Sequence, residues 1–400
     1  MFKTLPARFR QSDIDPRLLL PLLVNTMAVQ ATVLIVRITA SYRVVELGLP
    51  PIWLGVIAGA FALIPIVLAV WVGRFNDRGN DALANWIGSV LLVVGCIGFA
   101  VWPSVFALFG FTVVLGIGHL FVIASQQMLC VRCAGTRVGM ESVFGSYMVV
   151  NALGQAIGPL IVGWAGGDAA TPPTGLLFVI GFVSSLLVLA SSLAIRPGPV
   201  RESKSGDQTV PVAKLLRVPG LMAVMLTSVV IATANDLVVI YLPLLGSERS
   251  IDVASIGLLL TVRAVASMVA RYLYARIVRR VDRKRLMVGS VLAGALAFVA
   301  LAIPLPLIMM HAAMIVIGFS LGLAMTLSVT NVVDLTREGM RGIANSLRLL
   351  GNRVGQVALP FGAGLLATVT GAAGIFILIA GGLAVSAAAV QFSGRKKTES

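Results

Sequence analysis

Twelve apolar runs follow one another along the chain, at 18–40, 52–72, 83–102, 105–130, 142–164, 175–195, 219–244, 254–275, 286–306, 308–333, 343–367 and 372–392. A helix needs roughly 20 apolar residues to cross a bilayer. Most of the runs have that length, and little polar surface is left to shield them from water. Of the 400 residues, 58% are hydrophobic and 12% charged, against about 25% charged in an ordinary soluble domain. The lipid bilayer is therefore the expected solvent. Bilayers admit only helices or closed barrels, because no water is present to satisfy a bare backbone. Barrel strands alternate in hydropathy over about ten residues, whereas these runs are solidly apolar, so the expected class is an all-α membrane protein of 12 transmembrane helices.

The net charge of +15 might suggest nucleic acid as a partner, but its placement argues otherwise. With a cytoplasmic N-terminus, 25 of the 31 Lys and Arg fall in the N-terminus, the C-terminus and the inner connections. Only Arg43 and Arg249 fall outside, and Arg37, Arg263, Arg348 and Arg353 lie within spans. This bias is the positive-inside pattern. It predicts an inner (plasma) membrane protein with both termini cytoplasmic, and its charge suits anionic lipid rather than nucleic acid. The first run lacks a small-residue cleavage site and reads as a retained span. Cys96, Cys130 and Cys133 form no disulfide or zinc pattern, so no metal and no cofactor is expected.

Residues 151–163, NALGQAIGPLIVG, return as NRVGQVALPFGAG at 352–364, shifted by 201. Asn, Gly, Gln, Pro and Gly coincide at five positions of that frame. The chain thus reads as one unit used twice: a six-helix bundle at 1–195, a polar cytoplasmic linker at 196–218 and a second six-helix bundle at 219–400. Gly154 and Gly158 stand four apart, the spacing that lets helix backbones touch in lipid, and Pro159 bends the helix they lie on.

These features resemble the major facilitator superfamily over essentially the whole chain. Gly145, Gly154 and Gly158-Pro159 fit the fifth-helix motif associated with exporters and antiporters, though its final double glycine is Val162-Gly163 here. Gly73, Asp77 and Arg78 in GRFNDRGND resemble the loop signature between helices 2 and 3, after which Gly79-Asn80-Asp81 departs from the pattern. The resemblance implies two parallel six-helix halves around a midplane substrate site, with the 2–3 loop as a cytoplasmic latch. The Arg that many proton-coupled exporters carry early in helix 4 is missing from FTVVLGIGHLF, where His119 is the nearest titratable residue.

Charges at mid-bilayer are costly and by default mark function. Asp236 is the one carboxylate well inside a run. It and Arg263 lie ~15 Å below the outer surface at 1.5 Å per residue, and Arg37 is at a similar depth. Asp236, paired with Arg37 or Arg263, is the proton-coupling candidate, with His119 as a possible shuttle. Tyr147, Asn151 and Gln155 form a polar stripe on helix 5, and Arg348, Asn352 and Gln356 a matching one on helix 11, with Arg353 one position aside. Gln126 on helix 4 joins Arg37, His119, Arg263 and these stripes as a candidate substrate contact. The surplus of Arg suits a carboxylate or phosphate; the alternative is that these Arg bond backbone carbonyls or Asp334 and lock one conformation. A secondary transporter with a small-molecule substrate, protons as the coupling ion and a monomeric state is expected. Exchange of protons for an exported organic molecule is one function, and proton-coupled uptake of an organic anion is the other. An enzyme is disfavoured, since no HExxH, GxSxG or phosphate loop is present.

Overall fold

The computed structural model describes residues 15–133, 137–196, 218, 220–336 and 340–393. The expected linker falls almost wholly outside them. All regular structure among the described residues is helical. The helices are α1 Pro16–Glu46, α2 Ile52–Phe75, α3 Asp81–Val101, α4 Val105–Cys133, α5 Arg137–Gly166, α6 Thr174–Leu193, α7 Leu221–Glu248, α8 Val253–Ile277, α9 Arg283–Ala302, α10 Leu307–Leu335 and α11 Arg341–Phe392. Starts follow capping chemistry. Asp15, Asp252 and Asp282 each accept a first-turn amide at α1, α8 and α9.

Ten described helical segments are long and apolar enough to cross a membrane, two of them 50 residues long. Each long segment contains two of the twelve expected runs. One is broken by a π-helical turn, Asn76–Asn80, where Gly79 has φ 85°. The other, α11, is broken at Gly371, with φ 65° and ψ −168°. Only glycine adopts such values without strain.

Helices of the first half pack chiefly on one another: α1 on α5 and α6, α3 on α4 and α6, and α2 on α4. The second half repeats the scheme, with α7 on α11, α8 on α10, and α9 on α10 and α11. Contacts between halves run through α2–α11, α5–α8 and α1–α7. The first two are glycine seams. A Cβ on Gly257 of α8 would stand 2.6 Å from both the Gly163 Cα and the Pro159 carbonyl oxygen of α5. A Cβ on Gly55 of α2 would collide with the Pro360 carbonyl of α11, and one on Gly364 would stand 3.2 Å from the Gly55 Cα. Pro159 and Gly163 are the repeat partners of Pro360 and Gly364, so one contact is built twice. Gly154 and Gly158 serve elsewhere: they face Met27 and Ala31 of α1, while the Ala156 carbonyl between them accepts from Thr261 Oγ1 of α8 at 3.1 Å.

Both seams lie toward the end that the charge distribution assigns to the outside. At the α5–α8 seam a chain connection closes over the contact. The Val253 and Ala254 amides donate to the Ala169 and Gly167 carbonyls (3.0 and 3.1 Å), tying the α5–α6 connection to α8. Toward the other end the same helices present bare apolar side chains, with Val67 of α2 and Tyr272 of α8 each 76% exposed.

Candidate functional site

Between the halves, α1 and α7 bring opposite charges together. Arg37 Nη1 donates to Asp236 Oδ1 at 3.0 Å, with side chains 12% and 20% exposed. This pair joins α1 of the first half to α7 of the second. Of the two partners open to Asp236, Arg37 makes the direct contact. Arg263 Nη1 donates instead to the neighbouring Asn235 Oδ1 at 2.7 Å, while remaining within Coulombic reach of Asp236. Arg353 is also within that reach and donates to Gln356 Oε1 at 3.3 Å.

Aromatic and imidazole groups complete the cluster. The Arg37 guanidinium carbon lies 4.6 Å from the centroid of the Phe61 ring, a cation–π contact. Phe61 in turn packs on His119, centroids 5.3 Å apart. His119 Nε2 is buried with no hydrogen-bond partner, and the charges of Arg37 and Arg353 both act on the ring. A narrow cavity adjoins Arg37 and Phe61, lined by Ser41, Thr112, Leu115 and Ile240 among others. Three guanidinium groups thus face one carboxylate. A site this short of negative charge in a low-dielectric surrounding attracts anions, and guanidinium forks fit carboxylate or phosphate oxygens.

The other expected residues divide. Arg348 is buried and donates to Ser228 Oγ (3.0 Å) and Asn345 Oδ1, which fastens α11 to α7; Asp334 belongs to Arg283 instead. Asn352 is buried with its Oδ1 unpartnered. Gln155 Nε2 donates to Asn151 Oδ1 at 2.8 Å along α5. Tyr147 is buried among Leu18, Leu129, Cys130 and Cys133. Gln126 lies inside the first half, where its Nε2 and the Nδ2 of Asn85 converge on Asn25 Oδ1 at 2.8 and 3.2 Å. Sequence reasoning missed that amide cluster, as it missed Asn235 and Phe61.

In the 2–3 loop, Gly73 has open space around it, and Asp77 and Arg78 are exposed. The residue that engages is Asp81, fully buried, whose Oδ2 lies 2.7 Å from Arg132 Nε at the end of α4. Asp81 stands four residues beyond Asp77, at the start of α3. The repeat supplies the signal that would have found it: 202 positions on, Arg283 and Asp334 form the equivalent pair.

The family model for the Major Facilitator Superfamily matches residues 18–250 and 224–399. An uncharacterized MFS-type transporter, YcaD, of Salmonella newport is 21% identical over 270 residues, which is 65% of this chain and 67% of YcaD. The fold is similar to that of a point mutant of the nucleoside transporter NupG, with TM-score 0.82, 14% identity and coverage of 94% and 100% of the two chains. It is also similar to a bacterial homolog of the human lysosomal transporter Spinster in an inward-facing, occupied conformation (TM-score 0.77, 16% identity, 94% and 96% covered). A D-xylose-proton symporter aligns with TM-score 0.76, 14% identity and 94% and 96% coverage. The chain belongs to the Major Facilitator Superfamily, a family of membrane transporters.

Proposed function

We propose that this protein is a monomeric secondary transporter of the inner membrane that carries a small organic anion together with a proton by alternating access. In this reading the breaks at Gly79 and Gly371 reverse the chain and give twelve crossings in two six-helix bundles. Both termini are cytoplasmic, and the bundles are closed outside and open inside. The two glycine seams, both toward the outer end, support that reading.

The observation that carries the coupling is the Arg37–Asp236 pair across the halves. While Asp236 is charged it neutralises Arg37 and holds α1 to α7. Protonation removes the carboxylate charge, so that Arg37 joins Arg263 and Arg353 in binding the anion. Linkage then makes each ligand favour the other. A proton and an anion that help one another to bind move in the same direction, which is cotransport. A cation would instead compete with the proton for Asp236, giving exchange. The NupG and xylose–proton symporter likenesses fit either direction. Export by exchange keeps one specific support, the fifth-helix glycine spacing.

Asp236→Asn in proteoliposomes tests the coupling. The variant is expected to lose pH-driven accumulation of organic anions while keeping anion counterflow, because the neutral amide imitates the protonated state. Full pH-driven accumulation by Asp236→Asn would remove Asp236 from the coupling, and saturable counterflow of cations only would overturn the anion reading.

A further inference from the structure

At the inner end of α2, four residues line a shallow recess: Trp71, Arg74, Phe75 and Arg78. Trp71 and Phe75 stack at 5.4 Å and 14°, forming a flat wall beside the two cations. Arg74 and Arg78 are exposed. Neither has a side-chain hydrogen bond or ion pair with another described residue. Above them, along the same helix, Leu63, Val67 and Val70 are exposed apolar side chains. From Arg74 back to Leu63 is eleven residues, or ~16 Å of apolar track at 1.5 Å per residue.

At a shift of 202 the second half carries a similar set, with Leu273 and Ile277 in the places of Trp71 and Phe75. Arg276 and Arg280 take the places of Arg74 and Arg78 and are likewise exposed. Val265 and Val269 take the places of Leu63 and Val67. Tyr272, 76% exposed, stands where α2 has Val70, so an aromatic ring again neighbours the arginines.

A paired cation at i and i+4, an interfacial aromatic and a long exposed apolar track describe one kind of ligand. We propose that each half carries a site for an anionic glycerophospholipid, its phosphate held by Arg74 and Arg78 or by Arg276 and Arg280, and an acyl chain lying along the track. The inner leaflet is where anionic headgroups meet basic juxtamembrane residues, and tryptophan and tyrosine sit at headgroup level. A free phosphate would use the arginines and leave the apolar track idle, so the lipid is the occupant that accounts for both. Asp77 and Asp282 lie beside the two pairs and oppose the anion; Asp282 is already engaged in capping α9. The sites stand apart from the Arg37–Asp236 cluster and do not depend on what is transported.

The test is native mass spectrometry of the purified full chain in neutral detergent, titrated with phosphatidylglycerol, phosphatidylcholine or inorganic phosphate. Two tight phosphatidylglycerol adducts are expected, with weak or no binding of phosphatidylcholine and inorganic phosphate. Arg74→Gln with Arg78→Gln is expected to remove one adduct, and Arg276→Gln with Arg280→Gln the other. Each single arginine lost weakens retention about fivefold. The corresponding Arg→Lys pairs, which keep the charge, retain both adducts and separate a lost site from a misfolded chain. Asp77→Asn tightens the first site. The proposal is overturned if phosphatidylcholine binds as well as phosphatidylglycerol, if inorganic phosphate alone binds as tightly, or if the fourfold Gln variant keeps both adducts.

Discussion

Asp252 shows how much one side chain does at a helix start. Its carboxylate accepts the Ser255 amide at 2.6 Å and the Ser255 hydroxyl at 2.8 Å. Burial pushes its pKa up, but these bonds outweigh burial and hold the carboxyl below the usual carboxylate range. The folded pKa therefore lies under the unfolded value of about 3.9. Such a group stabilises the fold fully above the unfolded value and loses that contribution as pH falls through the lowered folded one. Asp252→Ala is expected to cost about 0.5–2 kcal/mol at neutral pH, and its gap from wild type in thermal unfolding should narrow as pH drops below about 4. A gap that widens in acid would mean the cap works through some other group. The embedded charges at the centre were legible residue by residue, since Arg37, Asp236, Arg263 and Arg353 stand out in apolar runs. The Arg37–Asp236 pairing was one of the two the sequence left open, but the neutral partners were not legible. Phe61, Asn235, Asn25 and Asn85 are ordinary residues in sequence, and they acquire meaning only when helices far apart in the chain are packed side by side.

At the level of helices, the most informative pair is the one with exchanged charges. Asp81 opens α3 and meets Arg132 at the end of α4; Arg283 opens α9 and meets Asp334 at the end of α10. The two pairs occupy equivalent places in the repeat with opposite polarity. Exchanging the two charges preserves the attraction, which is the physical requirement, so the pair is visible in the 202-residue spacing rather than in residue identity. Their energetics differ because their burial differs. Asp81 is fully buried, whereas Arg283 and Asp334 are 47% and 52% exposed. Losing one partner of a buried pair leaves an uncompensated charge and costs about 3–5 kcal/mol; an exposed pair contributes about 0–1 kcal/mol. Arg132→Ala should thus lower the unfolding temperature strongly and Arg283→Ala barely. Asp81→Arg combined with Arg132→Asp should recover part of the loss, since the second half already folds with that polarity. Equal losses for Arg132→Ala and Arg283→Ala would refute the burial argument.

Over the whole molecule, the duplicated unit was visible in the sequence, whereas the conformation was not, because one sequence must serve every state of a transport cycle. The glycine seams make the conformational question testable. At Gly257 a side chain would press on the backbone of Gly163 and Pro159, and at Gly55 on that of Pro360. Backbone has no rotamer with which to yield, so overpacking there costs about 1–3 kcal/mol. If alternating access opens the seams, that cost falls only on the outwardly closed arrangement, and 1.4 kcal/mol already shifts a two-state population about tenfold. Gly257→Val and Gly55→Val should each favour the outwardly open form and slow transport. Ala58, buried beside Arg37 in the narrow cavity among the first-half helices that Ile240 of α7 closes, supplies the reporter position. In a background lacking Cys96, Cys130 and Cys133, Ala58→Cys should react with an impermeant maleimide applied from outside about tenfold faster when Gly257→Val is present. An unchanged rate in a variant that is folded and inserted would mean that the α5–α8 seam stays shut throughout the cycle, and the gate would then have to be sought away from both glycine contacts.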